Sequence, residues 1–246
     1  MASDPNSLDR PAFYALAGGG WRDLVTLFHP PYTAWHLSYV ALGAAAAPTV
    51  HGGRLVATLG AFLLAVGVSA HALDELSGRP LQTALGRRTL IGLALAGLVG
   101  AVGIGVAGVI VVSVWLAPLI VLGALLVLGY NLELADGRFH TDIWFAIGWG
   151  AFPAFTGYFC QTLTIRPAGV LVAGGCYLLS AAQRRLSTPA RELRRHTATV
   201  TGEQKLADGT AVPLTKAGLA APLESALSAL WLALVLLAAG LLAVKL

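Results

Sequence analysis

Charge is scarce in this chain. Only 11% of its 246 residues are Asp, Glu, Lys or Arg, and 57% are hydrophobic, whereas a soluble domain carries about 25% charge. Together with a mean hydropathy of +0.74, this excludes a soluble globular domain and indicates an integral membrane protein. Cysteine is nearly absent. Cys160 and Cys176 lie inside apolar runs, where a thiol behaves as a small hydrophobe; a disulfide between neighbouring helices is the weaker alternative. No signal peptide is expected, because Asp4, Asp9 and Arg10 open the chain without an apolar core before a small-residue cleavage site. Nothing resembles a Walker loop, a dinucleotide fingerprint, a serine-nucleophile elbow or H-E-x-x-H, and no nucleic-acid partner is expected.

What the chain has is charge-free runs. They fall at 32–50, 55–76, 90–106, 109–132, 143–163, 167–182 and 219–244, each near the length that crosses a bilayer as helix. The third and fourth form one apolar block, Leu90 to Leu132. At 1.5 Å per residue that block would reach about 60 Å, twice the hydrocarbon core. A fold-back is therefore expected around Gly103-Ile104-Gly105 to Gly108. The fold class predicted is all-α, a polytopic bundle of about seven transmembrane helices over 32–246, with an interfacial segment at 1–31 and a cytoplasmic loop at 184–217.

The connections divide sharply by charge. With the N-terminus inside, only Arg54, Arg166 and Lys245 among the basic residues fall outside. The positive-inside rule then predicts a plasma-membrane protein with its N-terminus cytoplasmic and its C-terminus outside. All the acidic residues, and every histidine but His51, join the inner side. The chemistry is expected at the cytoplasmic leaflet.

Three clusters stand there. His71, Asp74 and Glu75 end the second run, spaced to share one helical face. Ionisable groups at that depth cost roughly 2.5–3.5 kcal/mol each and usually face a cavity. After the fourth run come Tyr130, Asn131 and Glu133, then Asp136-Gly137, a turn signal, and His140 and Asp142, the latter placed to favour a helix N-terminus. After the sixth run stand Arg184, Arg185, Arg191, Arg194 and Arg195. Arg184 and Arg185 adjoin the helix end and are candidates to hold phosphate oxygens; Arg194 and Arg195 read as a topological signal that touches anionic headgroups. The polar stretch from Thr197 to Lys216 predicts an exposed hairpin.

Other residues have local readings. Phe13, Tyr14, Leu16, Trp21, Leu24, Leu27 and Phe28, mixed with Arg22 and Asp23, predict a helix lying in the interface, broken by His29-Pro30-Pro31. His36 sits one turn into the first run, as a packing histidine or a substrate contact. Glu224 needs a partner in the last run, an arginine of the preceding loop or the site itself. Asp74, Glu75 and Glu133, gathered at the mouth of a bundle, suit Mg²⁺, which shares its shell with substrate phosphates.

These residues resemble the UbiA superfamily of membrane prenyltransferases. The family's first motif, N-D-x-x-D-x-x-x-D, ends the second helix before an Arg-Pro-Leu element. Here Ala70 takes the Asn position, His71 the first Asp, Asp74 the second and Gly78 the third, with Arg79-Pro80-Leu81 following. Tyr130-Asn131, the Gly- and Pro-containing stretch from Ile147 to Tyr158, and Phe28-His29-Pro30-Pro31 are similar to later and earlier family elements. Where the second Asp-rich motif would stand, this chain carries Gln183-Arg184-Arg185. The resemblance covers about 28–195.

It implies a divergent transferase acting on an isoprenoid phosphate or diphosphate at the cytoplasmic leaflet. Asp74, with Glu75 and Glu133, would hold Mg²⁺. His71 would be ligand or base, and Tyr130 would orient the substrate. Arg79, Asn131, Arg184, Arg185 and His36 would contact it. Two alternatives stand beside this reading. One is a lipid hydrolase or oxidase using Zn²⁺ or Fe on His36, His71, Glu75, Glu133 and His140. The other is a lipid-binding protein without catalysis.

Overall fold

Away from water, backbone N–H and C=O groups must pair within their own segment, so long apolar runs wind into helices. The computed structural model describes residues 10–246; Asp4 and Asp9, and with them the start of the expected interfacial segment, lie outside the described residues. The helices are α1 (Trp21–Leu27), α2 (Pro30–Ala45), α3 (Gly52–Leu76), α4 (Arg87–Val111), α5 (Val114–Asn131), α6 (142–162), α7 (Pro167–Arg195) and α8 (Lys216–Ala243). A small antiparallel hairpin, β1 (Glu203–Lys205) with β2 (Ala211–Pro213), pairs Gln204 with Val212 and projects exposed between α7 and α8.

Four of these helices, α3, α4, α5 and α8, are long and apolar enough to cross a membrane by length and composition. The chain is an all-α membrane protein on that measure. The other three expected runs are helical as well, but α2 has 16 residues, α6 is punctuated by Thr156, Tyr158 and Gln161, and the second half of α7 carries the arginines. The side chains of α4 explain where lipid would lie. Leu95, Val99, Ile110 and Val111 all point outward with no protein over them, an apolar surface too large to leave in water.

The fold-back between α4 and α5 falls later than expected. Helix α4 runs straight through Gly103, Gly105 and Gly108 and stops at Val111; the chain turns at Val112–Ser113, where the Ser113 hydroxyl accepts from the Trp115 N–H at 3.3 Å. The glycines serve packing instead. A Cβ on Gly105 would stand 2.7 Å from Ile120 Cγ1 of α5, so its absence lets the two helices close on each other.

Helix α2 is the axis of the bundle, with α6 on one side and α8 on the other. Its crossing with α6 is backbone on backbone: Gly43 lies against the Ala154 carbonyl, and Gly157 against the Val40 carbonyl. Around it Trp35, Tyr39, Ala154, Cys176, Leu227 and Leu234 form the main core, with Trp35 Nε1 donating to the Tyr39 hydroxyl. Both cysteines are free thiols.

Two departures from regular helix shape the site. Residues Leu63–Ala70 of α3 are wound as π-helix, as are Ile147–Ala151 of α6; such wide turns re-aim the side chains beyond them. Residues 10–28 form a strap rather than one interfacial helix, since only Trp21–Leu27 is helical. The strap is tied down along its length. Ala12 and Ala15 bury against Leu81, Leu16 N–H donates to Thr26 Oγ1 at 3.0 Å, and Arg195 Nε donates to the Pro11 carbonyl at 3.0 Å.

Candidate functional site

The last two turns of α3 carry the first predicted cluster, and its members part company. Glu75 is fully buried and accepts three hydrogen bonds, from Leu81 N–H at 3.0 Å, Thr83 N–H at 2.8 Å and the Thr83 hydroxyl at 2.9 Å. Its carboxylate is the internal anchor of the 77–86 loop. Asp74 lies within electrostatic reach of Arg191, Arg195 and His140, forming an ion pair with none of them. His71 donates Nδ1–H to the Gly67 carbonyl at 3.3 Å, which leaves Nε2 as an acceptor.

His71 has a partner that the sequence does not reveal. The ring of His29 stacks on it, with centroids 4.2 Å apart and planes at 18°. His29 caps α2 in the left-handed region at φ 45, a conformation uncommon for residues other than glycine and a mark of a constrained site. Tyr14 of the strap holds it, hydroxyl to Nδ1 at 2.7 Å. With that hydroxyl donating, the His29 proton sits on Nε2, a buried donor without a partner. Burial pushes the His29 pKa well below its ordinary value, and the neighbouring His71, Arg195 and Arg191 push the same way. Burial likewise raises the Tyr14 phenol, with Tyr32 adding to it.

The second cluster also divides. Tyr130 is buried against His140 at 4.3 Å and Trp149 at 4.5 Å between ring centroids, and its hydroxyl has no partner. His140 Nδ1 donates to the Tyr130 carbonyl at 3.1 Å. Asn131 is buried and donates to the Val127 carbonyl at 2.7 Å, a helix-end role. Glu133 is exposed, 3.8 Å from His140, on a turn with φ 49.

Among the basic candidates the sequence order is reversed. Arg79 spends its guanidinium on the carbonyls of Thr83 and Leu85, both at 2.8 Å, and lies exposed. Arg184 pairs with Asp142 at 2.9 Å and covers the Phe145 ring; Arg185 is exposed. The arginines further along α7 turn inward instead. Arg194 pairs with Glu224 through both carboxylate oxygens, Nη2 to Oε2 at 2.8 Å, giving Glu224 its expected arginine, from α7 itself. Arg191 and Arg195 face the region of Tyr14, Tyr32 and Asp74. Arg191 stands within the arginine run but carries no individual signal in the sequence. The buried face Gln183, Ser187 and Ala190 marks the side of α7 it shares, a pattern visible only once the helix is known to run to Arg195.

The donor set tests the expected metals. Glu75 has both oxygens engaged, Glu133 lies at the surface, and Asp74 is left as a lone carboxylate. Among the described residues no three His, Cys, Asp or Glu side chains converge as a ligand set. The Mg²⁺ shell of Asp74, Glu75 and Glu133 therefore does not fit this geometry. Neither does a Zn²⁺ or Fe site on His36, His71, Glu75, Glu133 and His140.

Beside these groups an apolar cavity of about 1040 Å³, counted with its open mouth, lies between α3, α4, α5 and α6. Phe62, Val66, Ile120, Trp149 and Phe152 are among its walls. Two of them join it to the polar cluster: Phe62 packs against His36 with centroids 5.4 Å apart, and Trp149 against Tyr130. His36 is buried with its ring against the Trp149 backbone, and neither ring nitrogen makes a well-formed hydrogen bond. No protein-family model, curated protein or solved structure matches this chain.

Proposed function

We propose that the protein binds a long-chain amphiphile within the membrane and carries out UbiA-type transfer from an isoprenoid phosphate or diphosphate. The observation that carries this is an apolar cavity bordered by buried polar groups. The cavity, about 1040 Å³ counted with its open mouth, has Phe62 and Trp149 in its wall, and against these two rings pack His36 and Tyr130 with buried polar atoms. A tail fits the cavity, with the polar head toward the groups at its edge. In this reading α2 to α8 all cross the bilayer, with the strap and the arginines cytoplasmic and the C-terminus outside, as the positive-inside rule favours.

The transfer begins with heterolysis of the allylic C–O bond, the electron pair leaving on the phosphate oxygen. The Trp149 and Tyr130 rings offer π faces to the developing cation, and the Asp74 carboxylate offers an opposite charge. The acceptor forms the new bond at that carbon and loses a proton, which the unengaged Nε2 of His71 takes up as base. Nothing in this sequence of steps draws on Glu75 or Glu133.

Two measurements test it together. Mass spectrometry of lipids co-purified with the protein should reveal a polyprenyl chain; bulk phospholipid alone, unchanged in His71→Ala and Asp74→Ala variants, would favour a lipid-binding role without catalysis. In nanodiscs, phosphate release from an added isoprenyl diphosphate should be lost in Asp74→Ala with folding intact. Retained turnover in that variant overturns the assignment.

A further inference from the structure

We propose that Arg191 and Arg195 form a phosphate-binding site beneath the strap that needs no divalent cation. The site deepens the reading above, on which its assignment to the head of a lipid rests.

The two arginines stand four apart on α7 and so project from one face, one turn apart. Arg191 is the charge that most disfavours that of Arg195, after burial itself. Two guanidinium groups held together in a half-buried site repel unless an anion joins them. The protein supplies little to do so. Glu224 is taken by Arg194, and Asp142 by Arg184. Among the described residues neither Arg191 nor Arg195 is in an ion pair, although Asp74 lies within electrostatic reach of both and the Arg194-paired Glu224 lines the same pocket.

Their hydrogen-bonding capacity is also largely unspent. Arg191 gives one bond, to Thr188 Oγ1 at 3.4 Å, and Arg195 gives one, to the Pro11 carbonyl at 3.0 Å, out of five N–H groups on each guanidinium. His29 stands beside this pocket: it is 8% exposed, bonded through Nδ1 to Tyr14, which lines the pocket, and its Nε2 is buried without a partner. Two planar forks with most of their N–H groups unspent make a donor set that phosphate oxygens match in geometry and charge. A small pocket of about 280 Å³, counted with its open mouth, lies between the strap, α2, α7 and α8, lined by Tyr14, Tyr32, Arg191 and Arg195 together with the Arg194–Glu224 pair. The strap closes this pocket through Pro11 and Tyr14, so the ligand sits under a roof that its own contacts help to hold down.

The test is titration of the purified full chain, in neutral detergent with excess EDTA, using two probes: inorganic diphosphate and a fifteen-carbon isoprenyl monophosphate. Saturable binding is expected with EDTA present. Arg191→Gln should weaken it by about 10–100-fold, the loss expected from removing a charge-assisted contact. Arg138→Gln, an exposed change of equal charge on another loop, should alter it less than about threefold, a purely screened effect. Tighter binding of the lipid monophosphate identifies a headgroup; equal or tighter binding of diphosphate identifies a free anion, and either supports the site. Binding of neither probe in EDTA overturns it, as does an equal loss in Arg191→Gln and Arg138→Gln. Should Arg191→Gln fail to fold, Arg191→Lys keeps the charge but not the fork, and undiminished binding in that variant overturns the proposal. Failure here leaves the lipid reading standing if polyprenyl chains still co-purify, whereas anion binding without such lipids removes that reading and keeps the site.

Discussion

Glu75 is, by sequence, a leading carboxylate candidate for a metal, and its replacement by Gln separates that role from the one the geometry gives it. Its carboxylate accepts from Leu81 N–H, Thr83 N–H and the Thr83 hydroxyl, all buried. In Glu75→Gln the amide oxygen can keep the two Thr83 bonds. The new NH₂ then faces the Leu81 N–H, donor against donor. Losing one hydrogen bond to a charged acceptor and leaving that amide unsatisfied costs about 1.5–3 kcal/mol. The cost falls on the 77–86 loop, and through Leu81 on Ala12 and Ala15 of the strap. Hydrogen exchange read by mass spectrometry reports it directly: if the loop opens locally, peptides holding Leu81 and Thr83 should exchange about 10–100-fold faster, by that same free energy. Glu75→Ala strands all three donors and should cost more, about 3–5 kcal/mol. Unchanged protection of the loop in Glu75→Gln refutes the anchoring role. So does protection that Mg²⁺ raises in the wild type and not in the variant, because that outcome makes Glu75 a ligand.

Glu224→Ala should lower stability by about 3–5 kcal/mol, because it leaves the buried Arg194 guanidinium without its carboxylate; thermal unfolding checks this, and Glu224→Leu with Arg194→Met should recover part of the loss. Acid should loosen the strap. His29 is held neutral by burial, so its pKa is lower folded than unfolded; it contributes no pH dependence above the ordinary value near 6.5 and costs stability as pH falls below it, because the undocked state takes up the proton first. Exchange of strap amides such as Leu16 should therefore accelerate below about pH 6.5, and a slope unchanged in His29→Gln would show that another group is responsible.

Much of the architecture is legible along the chain. Hydropathy and charge are local properties, so the apolar runs, the helical class and the exposed hairpin between Thr197 and Lys216 are visible in the residues themselves. The turn after α4 is not, because glycine reads as a breaker wherever a long run has to end. In an apolar bundle Gly105 is instead a contact, set against Ile120, and Ser113 supplies the cap that ends the run.

The sequence by itself determined what kind of molecule this is: a chain with too little charge for water and runs long enough for lipid, its ionisable groups gathered toward one end. It also determined which side chains are available there. Which of them meet was decided only by tertiary structure. A helix that is apolar nearly all round has no periodic face to show which way it turns, so rotation is set by close contacts such as Gly43 on Ala154 and Gly97 on Leu64, and by the π-wound turns that re-aim the residues beyond them. That packing committed Glu75 to a loop, Arg184 to Asp142 and Arg194 to Glu224. It stacked His29, from a Pro-flanked break, on the distant His71, and it turned Arg191 and Arg195 inward toward them.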